Sequence, residues 1–234
     1  MLSLCLASPA FSQTTVVFLP GLGDGKTSFA KIIRTLQAEV TIFADARPDT
    51  MPGDADGRRN GDEVAQDLHN RLAAAGRHPP YLLVGHSLGG TYALSFAQRY
   101  PAEVTGIVLA DARLPGFEAA CRAHNLNACS VPPLMYAMLP AVQKLELDGM
   151  AETAAALGSP ADFGTLPITV IVATKPALGL GKDWQAVWID TAITFAAGLQ
   201  NGTLVHAEGA RHYVQRDSSP VVEGEIRRML SPKE

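Results

Sequence analysis

From Pro80 to Arg113 the chain spells out one unit of a parallel sheet. Tyr81-Leu82-Leu83-Val84 is a short apolar run with the length of a buried strand. Gly85-His86-Ser87-Leu88-Gly89 then turns the chain, Leu88 to Arg99 reads as a helix, and Val104 to Ala110 is apolar again. Two strands joined through a helix lie parallel, because a tight hairpin is not available to them. The same alternation recurs along the chain. Val16-Val17-Phe18-Leu19 is a strand ended by Pro20-Gly21, Ser28 to Leu36 a helix, and Val40 to Ala44 a strand. Asp62 to Ala75 carries Val64, Leu68 and Leu72 on one face, with Gly76 as its stop. Ile168 to Ala173 and Gly202 to Ala207 are strands, and Ser219-Pro220 opens a last helix running to Leu230. The pattern predicts an α/β fold, a parallel sheet covered by helices on both faces. Asp45 to Gly61, rich in Gly, Pro and Asp, reads as a loop.

Residues 113 to about 165 break this rhythm. No clear strand occurs there, and Pro132, Pro133 and Pro140 interrupt a Met- and Leu-rich stretch. An insertion between two strands is a candidate lid. Its apolar residues, Leu114, Phe117, Met135, Tyr136, Met138 and Leu139, suit either core packing or substrate contact, and Phe117, Met135 and Met138 are the substrate-binding candidates.

The chain has 234 residues, 47% hydrophobic and 18% charged, which is material for a sizeable core and excludes intrinsic disorder. A net charge of −4 with no basic block argues against nucleic-acid binding, which depends on phosphate neutralisation. No segment is long and apolar enough for a transmembrane span, since Pro9, Ser12 to Thr15 and Pro20-Gly21 break the first uncharged run.

Leu2 to Ala10 resembles the end of a secretory signal. Ala10 and Ser12 put small residues at the two positions a signal peptidase inspects, although a basic segment before them is absent. On that reading residues 1–12 are a truncated signal, and residues 13–234 are one domain that works in the periplasm or outside the cell. The competing reading is a ragged start on a cytoplasmic protein. Of three cysteines, Cys5 would leave with the signal, and Cys121 and Cys129, eight apart, would form one disulfide. No CxxC or HExxH occurs, so zinc has no visible ligand set and no metal site is expected.

Gly85-His86-Ser87-Leu88-Gly89 is a G-x-S-x-G motif after a strand and before a helix, the context in which it carries chemistry. A serine on so sharp a turn is strained, and its Oγ projects at the positive end of the following helix. Such a serine needs a base. His212 lies just after the last strand and before the last helix, whereas His69, His78, His86, His124 and His206 fall on helix, loop, turn or strand positions less suited to it. An oxyanion needs two backbone N–H groups aimed at one point. Leu88, after the serine, supplies one, and Leu22, in the glycine turn Leu19-Pro20-Gly21-Leu22-Gly23, supplies the other.

Three stretches carry a family resemblance: VVFLPGLGDG, PPYLLVGHSLGGTYALSFAQRYPAEVTGIVLADAR, and AEGARHYVQRD followed by a helix. From about Val16 to Leu230 the chain resembles the α/β-hydrolase superfamily, in its lid-bearing esterase and lipase-like branch. The resemblance implies a mostly parallel sheet with a small lid between the sixth and seventh strands. It also implies a Ser-His-acid triad of Ser87, His212 and a carboxylate, and hydrolysis of a small-molecule carboxylic ester without a cofactor. The acid has two addresses in the family. After Ile168 to Ala173 there is no carboxylate until Asp183, on a stretch with two glycines; the end of the preceding strand offers Asp111. Asp111 is the choice because the strand fixes its backbone. A helix cap or an ion pair with Arg113 is the bland alternative for it. A ligand-binding protein without activity, a lyase or a thioesterase could use the same fold. Gly23-Asp24-Gly25-Lys26-Thr27 looks like the end of a phosphate loop, but Pro20 stands where that loop requires glycine.

Overall fold

Strand residues in this protein alternate between two cores, and that alternation explains the sheet. A computed structural model describes residues 14–46, 59–126, 129, 131–177 and 179–231. Among them are β1 (Thr15–Leu19), β2 (Thr41–Ala44), β3 (Tyr81–His86), β4 (Val104–Ala110), β5 (Ile168–Ala173) and β6 (Gly202–Ala207). They form one six-stranded sheet in the order β2-β1-β3-β4-β5-β6. Every neighbouring pair is parallel. The helices are α1 (Ala30–Leu36), α2 (Gly61–Ala74), α3 (Leu88–Arg99), α4 (Phe117–Ala123), α5 (Pro133–Met138), α6 (Ala141–Asp148), α7 (Met150–Ala156), α8 (Lys182–Gly198), α9 (Val214–Asp217) and α10 (Ser219–Leu230).

Val17, Leu19, Leu83, Leu109 and Val170 point to one face, where they meet Val64 and Leu68 of α2, Leu94 of α3 and Trp188 of α8. Their sequence neighbours Val16, Phe18, Leu82, Val84, Val108 and Ile171 point to the other, against Ile32 and Leu36 of α1 and Val222 and Ile226 of α10. A strand buried on both faces therefore reads as an unbroken apolar run. Each fully buried Leu or Ile contributes about 1.5–3 kcal/mol. Helix α2 starts on a reciprocal cap: the Asn60 side chain accepts from Glu63 N at 3.0 Å, and Glu63 Oε2 accepts from Asn60 N at 3.1 Å.

Two points differ from the sequence reading. The sheet has six strands among the described residues, and the insertion falls between the fourth and fifth of these rather than the sixth and seventh; the first described strand, β1, is an interior one. As the sequence reading expects, the insertion has no strand in its described part, which holds α4 to α7, a 3₁₀ turn at Pro160–Phe163 and the loops that join them. The 17-residue α8, absent from the sequence reading, fills the stretch between β5 and β6. Trp184, Val187, Trp188, Ile189, Ala192, Ile193 and Phe195 give it apolar residues on most sides, so no helical stripe stands out against a polar face. The expected signal segment, and most of the loop expected over Asp45 to Gly61, lie outside the described residues.

Candidate active site

Open parallel sheets bind ligands beyond the carboxyl ends of their strands, at the point where strand order reverses. Here the order reverses around β1 and β3, and the candidate residues leave the sheet there. Ser87 follows β3 directly and precedes α3, with φ 51° and ψ −122°. That backbone costs a serine about 1–3 kcal/mol and survives only where surroundings enforce it. They do so through three hydrogen bonds. Ser87 N donates to Ala110 O at 3.4 Å, and Ser87 O accepts from Gly90 N and Arg113 N, both at 3.0 Å. The helix must also pass very close to β1. A Cβ on Gly89 would lie 2.2 Å from Leu19 O, so no side chain fits there.

His212 stands on the loop between β6 and α9. Its Nδ1 is 2.8 Å from Asp111 Oδ2. Asp111 follows β4 at φ 46°, a left-handed conformation that Asp and Asn adopt more readily than most residues. Its other oxygen, Oδ1, accepts from Ala173 N at 2.9 Å and from Trp188 Nε1 at 3.0 Å. The carboxylate is 3% exposed and the imidazole 24% exposed. A buried carboxylate needs such donors, because a charged group taken out of water without hydrogen-bond partners is costly. Trp188 packs its ring against Phe117, at 4.7 Å between centroids, and edge-on to His212 at 5.7 Å.

A family profile for the alpha/beta hydrolase fold matches residues 14–144, more than half of the chain. The chain belongs to the alpha/beta hydrolase fold family. The chain is 33% identical over 114 residues to RutD of Shigella flexneri, named as a candidate carbamate hydrolase, covering 46% of this chain and 41% of that protein. It thus spans less than half the length of the curated relatives it matches first. An esterase from Thermogutta terrifontis shares the fold with TM-score 0.61 and 18% identity, over 94% of this chain and 90% of that one. MGS-MChE2, an alpha/beta hydrolase enzyme from a sediment metagenome of the Mar Chica lagoon, gives TM-score 0.66 and 17% identity, over 92% and 90%.

The other candidate residues of this alpha/beta hydrolase divide by location. Leu88 is the first residue of α3, so its N–H has no acceptor within the helix. The turn holding Leu22 passes the serine closely: a Cβ on Gly21 would lie 3.2 Å from Ser87 Cβ. Met135 and Met138 on α5 are 58% and 79% exposed. Phe117 is 1% exposed and belongs to the core behind Trp188, where it supports Asp111 at one remove. Asp183 is exposed in the first turn of α8, not on the glycine-rich loop expected for it. Arg113 pairs with Glu118, Nε to Oε1 at 2.9 Å, which leaves the Asp111 carboxylate to His212, Ala173 and Trp188. Among the described residues no group of His, Cys, Asp and Glu is arranged to hold a metal, and no helix is long and apolar enough to cross a membrane.

Sequence reasoning missed Trp188 and Asp24. Trp188 lies on the helix that was not foreseen, so nothing marked it. Asp24, in the turn after β1, lies 3.6 Å from His86 Nδ1 and 3.4 Å from Arg216. Burial raises the Asp24 pKa, but His86, Arg216 and Ser28 outweigh it and hold the carboxyl below its ordinary value.

The Trp188 contact makes a first prediction. Trp188→Phe keeps most of the ring and removes the donor to Asp111. A buried hydrogen bond to a charged group is worth about 1.5–3 kcal/mol, and the variant should lose stability of that order in urea denaturation. A loss below about 0.5 kcal/mol would mean that the bond does not hold the carboxylate.

Proposed function

We propose that this chain is a serine hydrolase that cleaves a small-molecule carboxylic ester through an acyl-enzyme intermediate. The observation that supports the reading best is the Asp111 carboxylate, with one oxygen on His212 Nδ1 and the other under two donors. A carboxylate held in this way fixes the imidazole's orientation and the tautomer that leaves Nε2 free to accept. Ser87 Oγ attacks the ester carbonyl carbon while His212 Nε2 takes its proton. The negative oxygen is met by the N–H groups of Leu22 and Leu88, each worth about 3 kcal/mol when well aimed. His212 returns the proton to the leaving alkoxide, and water then attacks the acyl-Ser87 ester by the same route in reverse. Asp111 stabilises the imidazolium formed in both halves. The chemistry requires no metal or cofactor. The α4–α7 insertion acts as the lid, with Met135 and Met138 offered to the acyl chain. The similarity to RutD favours carbamates as a second substrate class, since the same attack on a carbonyl carbon serves both.

A fluorophosphonate probe, followed by peptide mapping, tests the nucleophile. Labelling at Ser87, with turnover of p-nitrophenyl esters graded by acyl length, is the expected result. A protein that ignores both is a binding module on this fold.

On the same reading the protein works in an oxidising compartment, periplasmic or secreted. Cys121 and Cys129 have Cα atoms 6.0 Å apart with their sulfurs at bonding distance. Closing a loop of about nine residues stabilises by roughly 2–3 kcal/mol, which matters most in an insertion without a large core. Non-reducing peptide mapping of protein from its native compartment should find the two cysteines linked and Met1 absent. Two free thiols with Met1 attached would overturn both the bond and the export.

A further inference from the structure

His86, next to the serine, is buried at 1% exposure and has no step in the proposed chemistry. It is the last residue of β3 and continues the face of Leu82 and Val84, the side packed by α1 and α10. The strand's alternation therefore sends its ring away from the α3 side and toward the loop that carries His212. There His86 Nε2 lies 2.9 Å from the backbone carbonyl of His212. The two imidazole centroids are 4.7 Å apart, and the Tyr213 ring is 5.0 Å from His86 on the same loop. On its other side His86 Nδ1 faces Asp24 Oδ2 at 3.6 Å, and a Cβ on Gly21 would lie 3.1 Å from that nitrogen.

We propose that His86 is a positioning residue, which holds His212 in register with Ser87 by donating a hydrogen bond to the His212 carbonyl. The inference rests on the serine-hydrolase reading and deepens it. A carbonyl only accepts, so Nε2 carries the proton. Burial pushes the imidazole below its ordinary range, and the His212 ring adds to that; Asp24 and the bond to the His212 carbonyl pull the other way and are outweighed. His86 thus donates from Nε2 to the His212 carbonyl, with Nδ1 turned to Asp24. Two further contacts stitch the same loops together. Asp24 reaches Arg216 of α9 at 3.4 Å, and Gln215 Nε2 donates to Ser28 Oγ at 2.9 Å. Neither of these touches His212 itself. His86 alone among these contacts sits against both the serine's backbone and the histidine's carbonyl. A histidine loop displaced by about 1 Å costs up to about 100-fold in rate.

Three variants separate positioning from space-filling. His86→Phe keeps a ring and loses the donor. His86→Gln carries an amide N–H at about the reach of Nε2, and His86→Asn is too short to reach the carbonyl. Turnover of p-nitrophenyl acetate should fall about 10- to 100-fold in His86→Phe and His86→Asn, in kcat rather than KM, and His86→Gln should restore most of it. If Phe does not fold, the Gln and Asn pair still decides, since both are polar and uncharged. Equal kcat in Gln and Asn, or a loss carried by KM, overturns the proposal. The His212 Nδ1 proton, followed by NMR, gives a reading that needs no hydrolysis. Its signal should persist in His86→Gln and broaden or shift in His86→Asn. Unchanged in both, it overturns the role of His86. A wild-type protein unlabelled by fluorophosphonate fails the serine-hydrolase reading instead.

Discussion

On the proposed serine-hydrolase reading, Ser87→Ala should fold and lose ester hydrolysis by several orders of magnitude. Serine and histidine in such a site act as a unit, so removing the nucleophile removes nearly all of the chemistry and leaves what binding and the oxyanion donors supply. The variant should be at least as stable as the parent. Alanine has no hydroxyl to desolvate, and the φ of 51° is enforced by main-chain bonds of Ser87 to Ala110, Gly90 and Arg113, which do not use its side chain. Steady-state rates beside a thermal melt check both halves. Near wild-type turnover in a folded Ser87→Ala would remove Ser87 from the mechanism.

Asp111→Asn is expected to cost about 10⁴-fold in turnover. The size follows from how the carboxylate is held. Oδ1 faces two donors, Ala173 N at 2.9 Å and Trp188 Nε1 at 3.0 Å. An asparagine must therefore put its carbonyl oxygen there, which leaves its NH₂ facing His212 Nδ1. A donor in that place forces Nδ1 to become the acceptor, so the proton moves to Nε2, the nitrogen that should receive the serine's proton. The backbone is not at issue, because asparagine tolerates the φ of 46° that Asp111 adopts. Asp183→Asn, on an exposed first turn of α8, should change turnover by less than about twofold. The reverse ranking would move the acid to Asp183.

Local patterns made much of this legible. The limits of β4 and β5 coincide with those expected from the apolar runs, Val104–Ala110 and Ile168–Ala173, because a strand between two helical layers is apolar throughout; the limits of the edge strand β6, Gly202–Ala207, also coincide, although most of it is exposed or half-buried. The turn at Ser87 was readable since glycine spacing and a strand-to-helix switch are features of a few adjacent residues. Helix α8 was not readable. Its apolar residues lie against α4, the sheet edge and the 3₁₀ turn together, and burial on several sides erases the stripe that marks a surface helix.

By itself, then, the sequence determined the class of the fold, the strained serine at the end of a strand, and a histidine beyond the last strand, because each rests on neighbours in the chain. Only the tertiary structure set Asp111 rather than Asp183 against His212, placed Trp188 on the carboxylate and turned His86 onto the histidine loop. Asp111 meets its donors 62 and 77 residues away and His212 101 residues away, and His86 meets the His212 carbonyl at a separation of 126. Contacts of that separation are set by how helices stack on a twisted sheet, and no periodicity of the chain records them.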